Sequence, residues 1–298
     1  MPTRRGSIRI FKLFGIDVYL SWYWLLFPIF GKWIFPSIFA GAVTWPALVF
    51  LSLFLIVLTH EFGHALACRQ VGGKADFIVL WPLGGVAYVA PPQRPGATLW
   101  SIAAGPLVNV ALLVVFSVFW MCSHNLGWYE TRPDLHDFLI TIWQMNLGLL
   151  IFNMLPIYPL DGGQIFRSLL WFAFGRANSL MVASAIGFVG VAGVVVLAVL
   201  DQSVMLGIVA AFVGMNCWNG YRAATALLRI EKAPRRMEFH CPICRESPPI
   251  GNFWRCSKCG AAFDTFATAA ACPSCRTEYA VTACPYCFNS RPMPEWRA

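Results

Sequence analysis

Residues 60–64 read His60-Glu61-Phe62-Gly63-His64, and they close a run without charged side chains that begins at Trp33. A membrane-crossing helix needs about 20 mostly apolar residues. The run is long enough, although Pro36 and Pro46 interrupt it. A charged side chain at the centre of a bilayer costs roughly 2.5–3.5 kcal/mol, so ionisable groups in such a segment usually serve a function. On a helix, residues four apart share a face. His60 and His64 can therefore aim both imidazoles at one metal ion. Glu61 sits about 100° further round, where it can take a proton from metal-activated water. This is the H-E-x-x-H arrangement of zinc hydrolases. The plainer reading leaves both histidines bonded only to neighbouring backbone carbonyls.

The rest of the chain supports a membrane setting. Of 298 residues, 58% are hydrophobic and 12% charged, about half the charge of a soluble domain. Uncharged stretches run over 18–31, 33–59, 95–123, 138–160, 177–200 and 202–221. Six spans are expected, the first short and framed by Asp17 and Lys32. The basic N-terminus has no small-residue cleavage site after its apolar stretch and reads as a retained first span. Six spans put both termini on one side. Arg4, Arg5, Arg9, Lys12, Arg69, Lys74, Arg94, Arg167, Arg176 and the basic residues after Tyr221 all fall there; the other side keeps Lys32 and Arg132. The positive-inside rule makes the basic side cytoplasmic. The net charge of +8 is explained by this sorting and does not call for nucleic acid.

Two histidines leave a catalytic zinc one protein ligand short. The candidate is Asp161, in Asn153-Met154-Leu155-Pro156-Ile157-Tyr158-Pro159-Leu160-Asp161-Gly162-Gly163, at the end of an uncharged stretch. The prolines stop the helix and turn the chain, which can aim the carboxylate inward. The alternative is a helix N-cap.

HEFGH followed by N-x-x-P-x-x-P-L-D-G resembles the site-2 protease family of intramembrane zinc metalloproteases, in its compact bacterial and archaeal branch. Leu83-Gly84-Gly85-Val86 is similar to that family's membrane-associated strand. Ala104-Gly105-Pro106-Leu107-Val108-Asn109 is similar to its G-P-x-x-N segment, and the opening to that branch. The resemblance covers about residues 8–225. It implies a catalytic zinc on His60, His64 and Asp161, Glu61 as the acid–base, and a substrate helix that unwinds locally. Asn109 and Asn153 are then candidate donors to the extended substrate, or else bonds between spans. The Gly84-Gly85 strand is a candidate edge for substrate addition. The expected fold class is an all-α polytopic membrane protein of about six transmembrane helices, with a short strand region. The expected activity is hydrolysis of peptide bonds in or near transmembrane segments of membrane proteins. Many members of this branch end in paired nucleotide-binding modules, which this chain lacks, so regulation by nucleotide is not carried over.

The chain has 11 cysteines, and eight form four C-x-x-C pairs in the C-terminal part: Cys241/Cys244, Cys256/Cys259, Cys272/Cys275 and Cys284/Cys287. Each pair is a knuckle that presents two thiolates, and two knuckles complete a tetrahedral zinc site of four cysteines. Sequential pairing joins the first knuckle to the second and the third to the fourth; interleaving is the alternative. A segment this small needs metal for much of its folding free energy. The organisation expected is a membrane domain over 1–230 and a cytoplasmic double zinc-ribbon domain over 239–298. With one catalytic zinc the total is three Zn2+. The tail's basic residues are scattered among acidic ones, which favours a protein partner over nucleic acid. Cys68, Cys122 and Cys217 read as small core residues, and His124 and His136 as solvated loop residues. Two other functions use the same residues: a metal transporter, and a catalytically silent membrane scaffold. A transporter has no need of Glu61 at its fixed offset.

Overall fold

The structure, a computed structural model, describes residues 6–23, 44–81 and 84–296. Two compact units are present: Met1–Ala173 with Ala183–Cys217, and Phe174–Val182 with Trp218–Ala298.

The first unit opens with a sheet. Strand β1 (Ser7–Leu13) pairs antiparallel with β2 (Ile16–Ser21) through Leu13↔Ile16. The two-residue connection, Phe14 (φ 51) and Gly15 (φ 74), is left-handed at both positions. That geometry matches the twist of the flanking strands and is what a tight hairpin needs. Helix α1 (Thr44–Gln70) leads to β3 (Lys74–Trp81), which runs parallel to β2, and β4 (Gly84–Ala90) returns antiparallel. The order β1-β2-β3-β4 leaves β4 at an edge. Ile16 and Val18 of β2, Ile78 and Leu80 of β3 and Val57, Leu58, Phe62, Ala65 and Cys68 of α1 form one core. One face of α1 is therefore laid against the sheet. Arg69 fastens the contact by donating to the carbonyls of Phe14 (2.5 Å), Gly15 (3.1 Å) and Ala75 (3.0 and 2.5 Å).

This sheet corrects the expected first span. Val18 to Ser21 belong to β2, where Ile16, Val18 and Ser21 are buried. The period-2 alternation of a strand, not the length of an apolar run, decides here. Residues 24–31 of the expected span lie outside the described residues.

Five helices among the described residues are long and apolar enough to cross a bilayer. They are α1, α2 (Pro95–Asn125), α4 (Pro133–Met154), α5 (Asp161–Leu200) and α6 (Val204–Lys232), with a one-turn α3 (Trp128–Thr131) between α2 and α4. At 1.5 Å per residue, the 40 residues of α5 would measure about 60 Å, twice the hydrocarbon thickness. Gly175 (φ 76, ψ 174) breaks that helix into a short N-terminal part and a longer C-terminal one. Helix α4 stops before Pro156, with Leu155 extended (φ −58, ψ 134) as a residue preceding proline prefers. The connection between α2 and α4 departs from the solvated loop expected: His136 is buried and its Nδ1 lies 2.8 Å from the Ser123 hydroxyl. Cys68 and Cys217 are fully buried, whereas Cys122 is exposed on α2.

The second unit holds the eight cysteines of the C-x-x-C pairs. Two short hairpins, β5–β6 (Trp254–Arg255, Ala262–Phe263) and β7–β8 (Thr282–Ala283, Ser290–Arg291), surround the second and fourth knuckles. Phe266 is central to the aromatic nucleus, with ring centroids of Phe239, Trp254 and Trp296 at 4.9, 5.5 and 5.1 Å.

Candidate metal centres

His60, Glu61 and His64 are buried on α1, about 15 Å before its C-terminal end at Gln70. His60 Nε2 and His64 Nε2 lie 3.0 Å apart. Asp161 Oδ2 is 3.1 Å from the first and 3.3 Å from the second. The three residues expected to form one set, a hundred positions apart in sequence, therefore meet at one point.

Small residues make the approach possible. A Cβ on Gly63 would lie 2.8 Å from the Ala104 carbonyl oxygen of α2, and a Cβ on Gly105 would collide with both imidazoles. Side chains at Gly162 or Gly163 would strike the backbone of Met154 or Ile157. The two glycines thus let α5 start hard against the end of α4 and aim Asp161 at the histidines. Asp161 is the first residue of α5; the cap position is Leu160, without a side-chain cap bond. The N-cap alternative does not hold.

The hydrogen bonds fix which nitrogens face inward. His64 Nδ1 meets the Ser101 carbonyl at 2.9 Å, and a carbonyl only accepts, so Nδ1 carries the proton. His60 Nδ1 donates to Asn109 Oδ1. Both Nε2 atoms are then lone-pair acceptors. They face Asp161 Oδ2, a buried oxygen to which no hydrogen bond is donated among the described residues. With both imidazoles neutral, three acceptors crowd together with no donor between them, an arrangement that a bound cation would satisfy. Their 3.0–3.3 Å separations lie at or a few tenths of an ångström inside the roughly 3.3–3.4 Å edges of a tetrahedron with ligand bonds of about 2.0–2.1 Å. The donor set fits zinc.

Glu61 lies beside this group. Its Oε2 accepts the Ala87 N–H at 2.7 Å. Its stem occupies the place where a Cβ of Gly85 would stand. Strand β4 is therefore a seat for the carboxylate, a role that the sequence did not signal. Asn109 is fully buried, and its amide is occupied inside the protein: Oδ1 takes the His60 proton and Nδ2 donates to Asn146 Oδ1 at 2.7 Å. These contacts match the alternative of bonds between spans. Asn153, half-buried at the end of α4, is outside this network. Asn146 was missed by sequence reasoning. An amide in the middle of an uncharged span, two helical turns before Asn153, was the available signal.

In the tail, two thiol clusters form: Cys241, Cys244, Cys284 and Cys287, and Cys256, Cys259, Cys272 and Cys275. The cross-knuckle Sγ–Sγ distances are 3.7 and 3.7 Å in the first and 3.5 and 3.7 Å in the second. Zinc–sulfur bonds of about 2.3 Å give tetrahedral edges of about 3.8 Å, so both clusters fit a zinc held by four thiolates. The arrangement is nested, first knuckle with fourth and second with third, which overturns sequential pairing. Phe239 and Trp296 both pack on Phe266, and the backbone His240 N–H donates to the Trp296 carbonyl at 2.8 Å. That closure brings the first and last knuckles together around the inner pair. All four knuckles share one turn, in which the residue after the second cysteine donates to the carbonyl of the first, at 2.8–2.9 Å. That residue is left-handed in each: Arg245 (φ 61), Gly260 (φ 75), Arg276 (φ 57) and Phe288 (φ 60). Only Gly260 announces this in sequence.

Asp264 ties the tail's linker to its core. Its Oδ2 accepts from Arg236 at 2.7 Å and from Gly251 N–H at 2.9 Å, and its Oδ1 from Phe266 N–H at 3.1 Å. Burial alone would raise its pKa; the Gly251 N–H and the Arg236 guanidinium outweigh that and hold it below the usual value.

Together the fold and the inner donor set define a class: multi-pass membrane proteins with an H-E-x-x-H metal site among their helices. The chain belongs to peptidase family M50, whose sequence pattern matches residues 48–131 and 129–197. It is 33% identical to a zinc metalloprotease of Methanocaldococcus jannaschii, over 70% of this chain and 58% of that protein. It is 29% identical to stage IV sporulation protein FB of Bacillus subtilis, over 64% of each chain. The solved site-2 protease from Methanocaldococcus jannaschii superposes with a TM-score of 0.52 at 27% identity, covering 72% of this chain and 95% of that one. The matched segment thus spans little more than half of the curated zinc metalloprotease, and the cysteine-rich tail lies beyond the residues that the family pattern matches.

Proposed function

We propose that this chain is an intramembrane zinc endopeptidase that cleaves membrane proteins in or near their transmembrane segments. The observation that carries this reading is the convergence of three uncompensated acceptors, with a seated carboxylate beside them, inside a bundle of apolar helices. His60 Nε2, His64 Nε2 and an Asp161 oxygen would hold the zinc. The ion, when bound, supplies Lewis-acid polarisation of the scissile carbonyl and of the attacking water. Glu61 is the proton acceptor and returns the proton to the leaving amine. The Ala87 N–H keeps its carboxylate from drifting away from the reacting atoms. In an antiparallel ladder, alternate residues turn their backbone groups away from the partner strand. The Ala87 N–H on the open side of β4 is taken by Glu61, which leaves the Ala87 carbonyl and the Gly85 backbone groups for a partner there. An unwound substrate segment adds there as a further strand, with Asn153 as a side-chain donor to it.

Both termini and the tail face the cytoplasm in this reading, which the clustering of Lys and Arg on one side of the expected spans supports. The tail, residues 239–298, carries two structural zinc ions and serves as a contact for a cytoplasmic protein; the total is three zinc ions per chain. The decisive experiment pairs the chain with candidate single-span substrates and compares it with Glu61→Gln. Cleavage falls by about 10²–10⁴-fold while metal analysis still finds three zinc ions. Undiminished cleavage by the variant would remove Glu61 from the mechanism.

A further inference from the structure

The hydrogen-bond chain behind His60 does not end at Asn109. Asn146, fully buried on α4, bonds twice to that residue: Asn146 Oδ1 accepts from Asn109 Nδ2 at 2.7 Å, and Asn146 Nδ2 donates to the Asn109 backbone carbonyl at 2.9 Å. The backbone carbonyl is the anchor. Because it can only accept, it turns the Nδ2 of Asn146 toward itself and the Oδ1 the other way. That oxygen in turn demands the Nδ2 of Asn109, which leaves the Asn109 Oδ1 facing His60. Each amide has one orientation in which every bond is made.

We infer that Asn146 is a positioning residue for the metal centre: acting through Asn109, it sets the tautomer of His60. With Asn109 Oδ1 toward the imidazole, the proton sits on Nδ1 and Nε2 is a free ligand. If Asn109 flipped, its Nδ2 would face His60 Nδ1 and require a lone pair there. The proton would then move to Nε2, the atom 3.1 Å from Asp161 Oδ2, and block coordination. His64 needs no such device, because the Ser101 carbonyl accepts from its Nδ1 directly. The two histidines thus differ in how they are held. One depends on a main-chain acceptor, the other on a side chain that can rotate unless a third helix restrains it.

This inference rests on the proposed His60, His64 and Asp161 zinc site and is tested on zinc retention, not on cleavage. Full-length chains are equilibrated with graded chelator, and zinc per chain is measured for wild type, Asn146→Leu, Asn109→Leu and the double variant. His60→Ala identifies the portion of zinc that belongs to the membrane site. Outer-shell partners of metal-bound histidines typically contribute 10–100-fold in affinity. Asn146→Leu is expected to weaken the membrane zinc by that factor while the tail zinc is unchanged. The double variant is expected to be no weaker than Asn109→Leu alone, because Asn146 acts only through Asn109. A smaller substitution, Asn146→Ala, serves if leucine prevents folding. Zinc affinity unchanged in a folded Asn146 variant, or losses that multiply in the double variant, would overturn the inference. If His60→Ala removed no zinc at all, the fault would lie with the metal site itself.

Discussion

The two kinds of metal centre assemble their donors in opposite ways. In the membrane unit, the donors come from α1 and from the start of α5, and packed helices bring them together. Gly63, Gly105, Gly162 and Gly163 permit the approach, and Ser101, Asn109 and Ala87 orient the side chains. In the tail, each pair of donors is local, held by a four-fold repeated turn, and the packing around them is small: an aromatic nucleus on Phe266, a second cluster of Phe263 with Tyr279, and the Asp264 bonds. The first scaffold is made without metal and offers it a site. On the proposed reading, the second would need the metal to be a scaffold.

Chelation tests that contrast with the largest effect. Structural zinc in small Cys-rich modules is worth an apparent 10–16 kcal/mol at neutral pH, more than the core of a tail this size supplies. Exhaustive chelation should make residues 239–298 fully sensitive to limited proteolysis while the helical circular dichroism of the membrane unit persists. A tail that stays protease-resistant without zinc would end the comparison.

The nested arrangement is broken or kept by one double variant. Cys256→Ala with Cys272→Ala removes two ligands of a single site if the second and third knuckles share an ion. One tail zinc should remain bound. Sequential pairing would place those cysteines in different sites and cost both. Gap lengths of 11, 12 and 8 residues between knuckles could not decide this, because a C-x-x-C turn looks the same whichever partner it meets. The packing of Phe239 and Trp296 on the shared Phe266 ring accompanies the nested arrangement, and that is a tertiary event.

The membrane site was far more legible. The helical period placed His60 and His64 on one face, and an ionisable group beside an uncharged run marked Asp161. What escaped was close approach: nothing in Gly85 or Ala87 states that a carboxylate lies on them. The β1–β2 hairpin was overlooked for a different reason. Val18 to Ser21 continue into an uncharged stretch of span-like length, while the strand shows only in the alternation of Ile16, Val18 and Leu20 and in the Phe14-Gly15 turn. Gly85→Ala probes the hidden contact. The added methyl group pushes the Glu61 side chain from its seat without touching a zinc ligand. Displacement of a catalytic group by about 1 Å costs up to 10²-fold, so cleavage should fall 10–100-fold with zinc content unchanged. Lost zinc in this variant would instead mean that β4 supports the ligands.

The smallest effect separates metal from protein contributions inside the tail. Asp264 accepts from Arg236, Gly251 and Phe266, and its pKa is held below the ordinary carboxylate value. A depressed folded pKa stabilises the fold above the unfolded value of about 4. That stability is lost as pH falls through the folded value. Asp264→Asn keeps the shape but removes the charge, so about 1–2 kcal/mol should be missing at pH 7. Zinc release complicates acid titration, because thiolates are also protonated there. The comparison is therefore made at fixed pH 7, by the rate at which chelator extracts the tail zinc. Faster extraction in Asp264→Asn, with the same two ions bound at equilibrium, shows a protein contribution beneath the metal. Equal rates would mean that thiolates and aromatic rings alone hold the tail together, and the contrast with the membrane site would be sharper still.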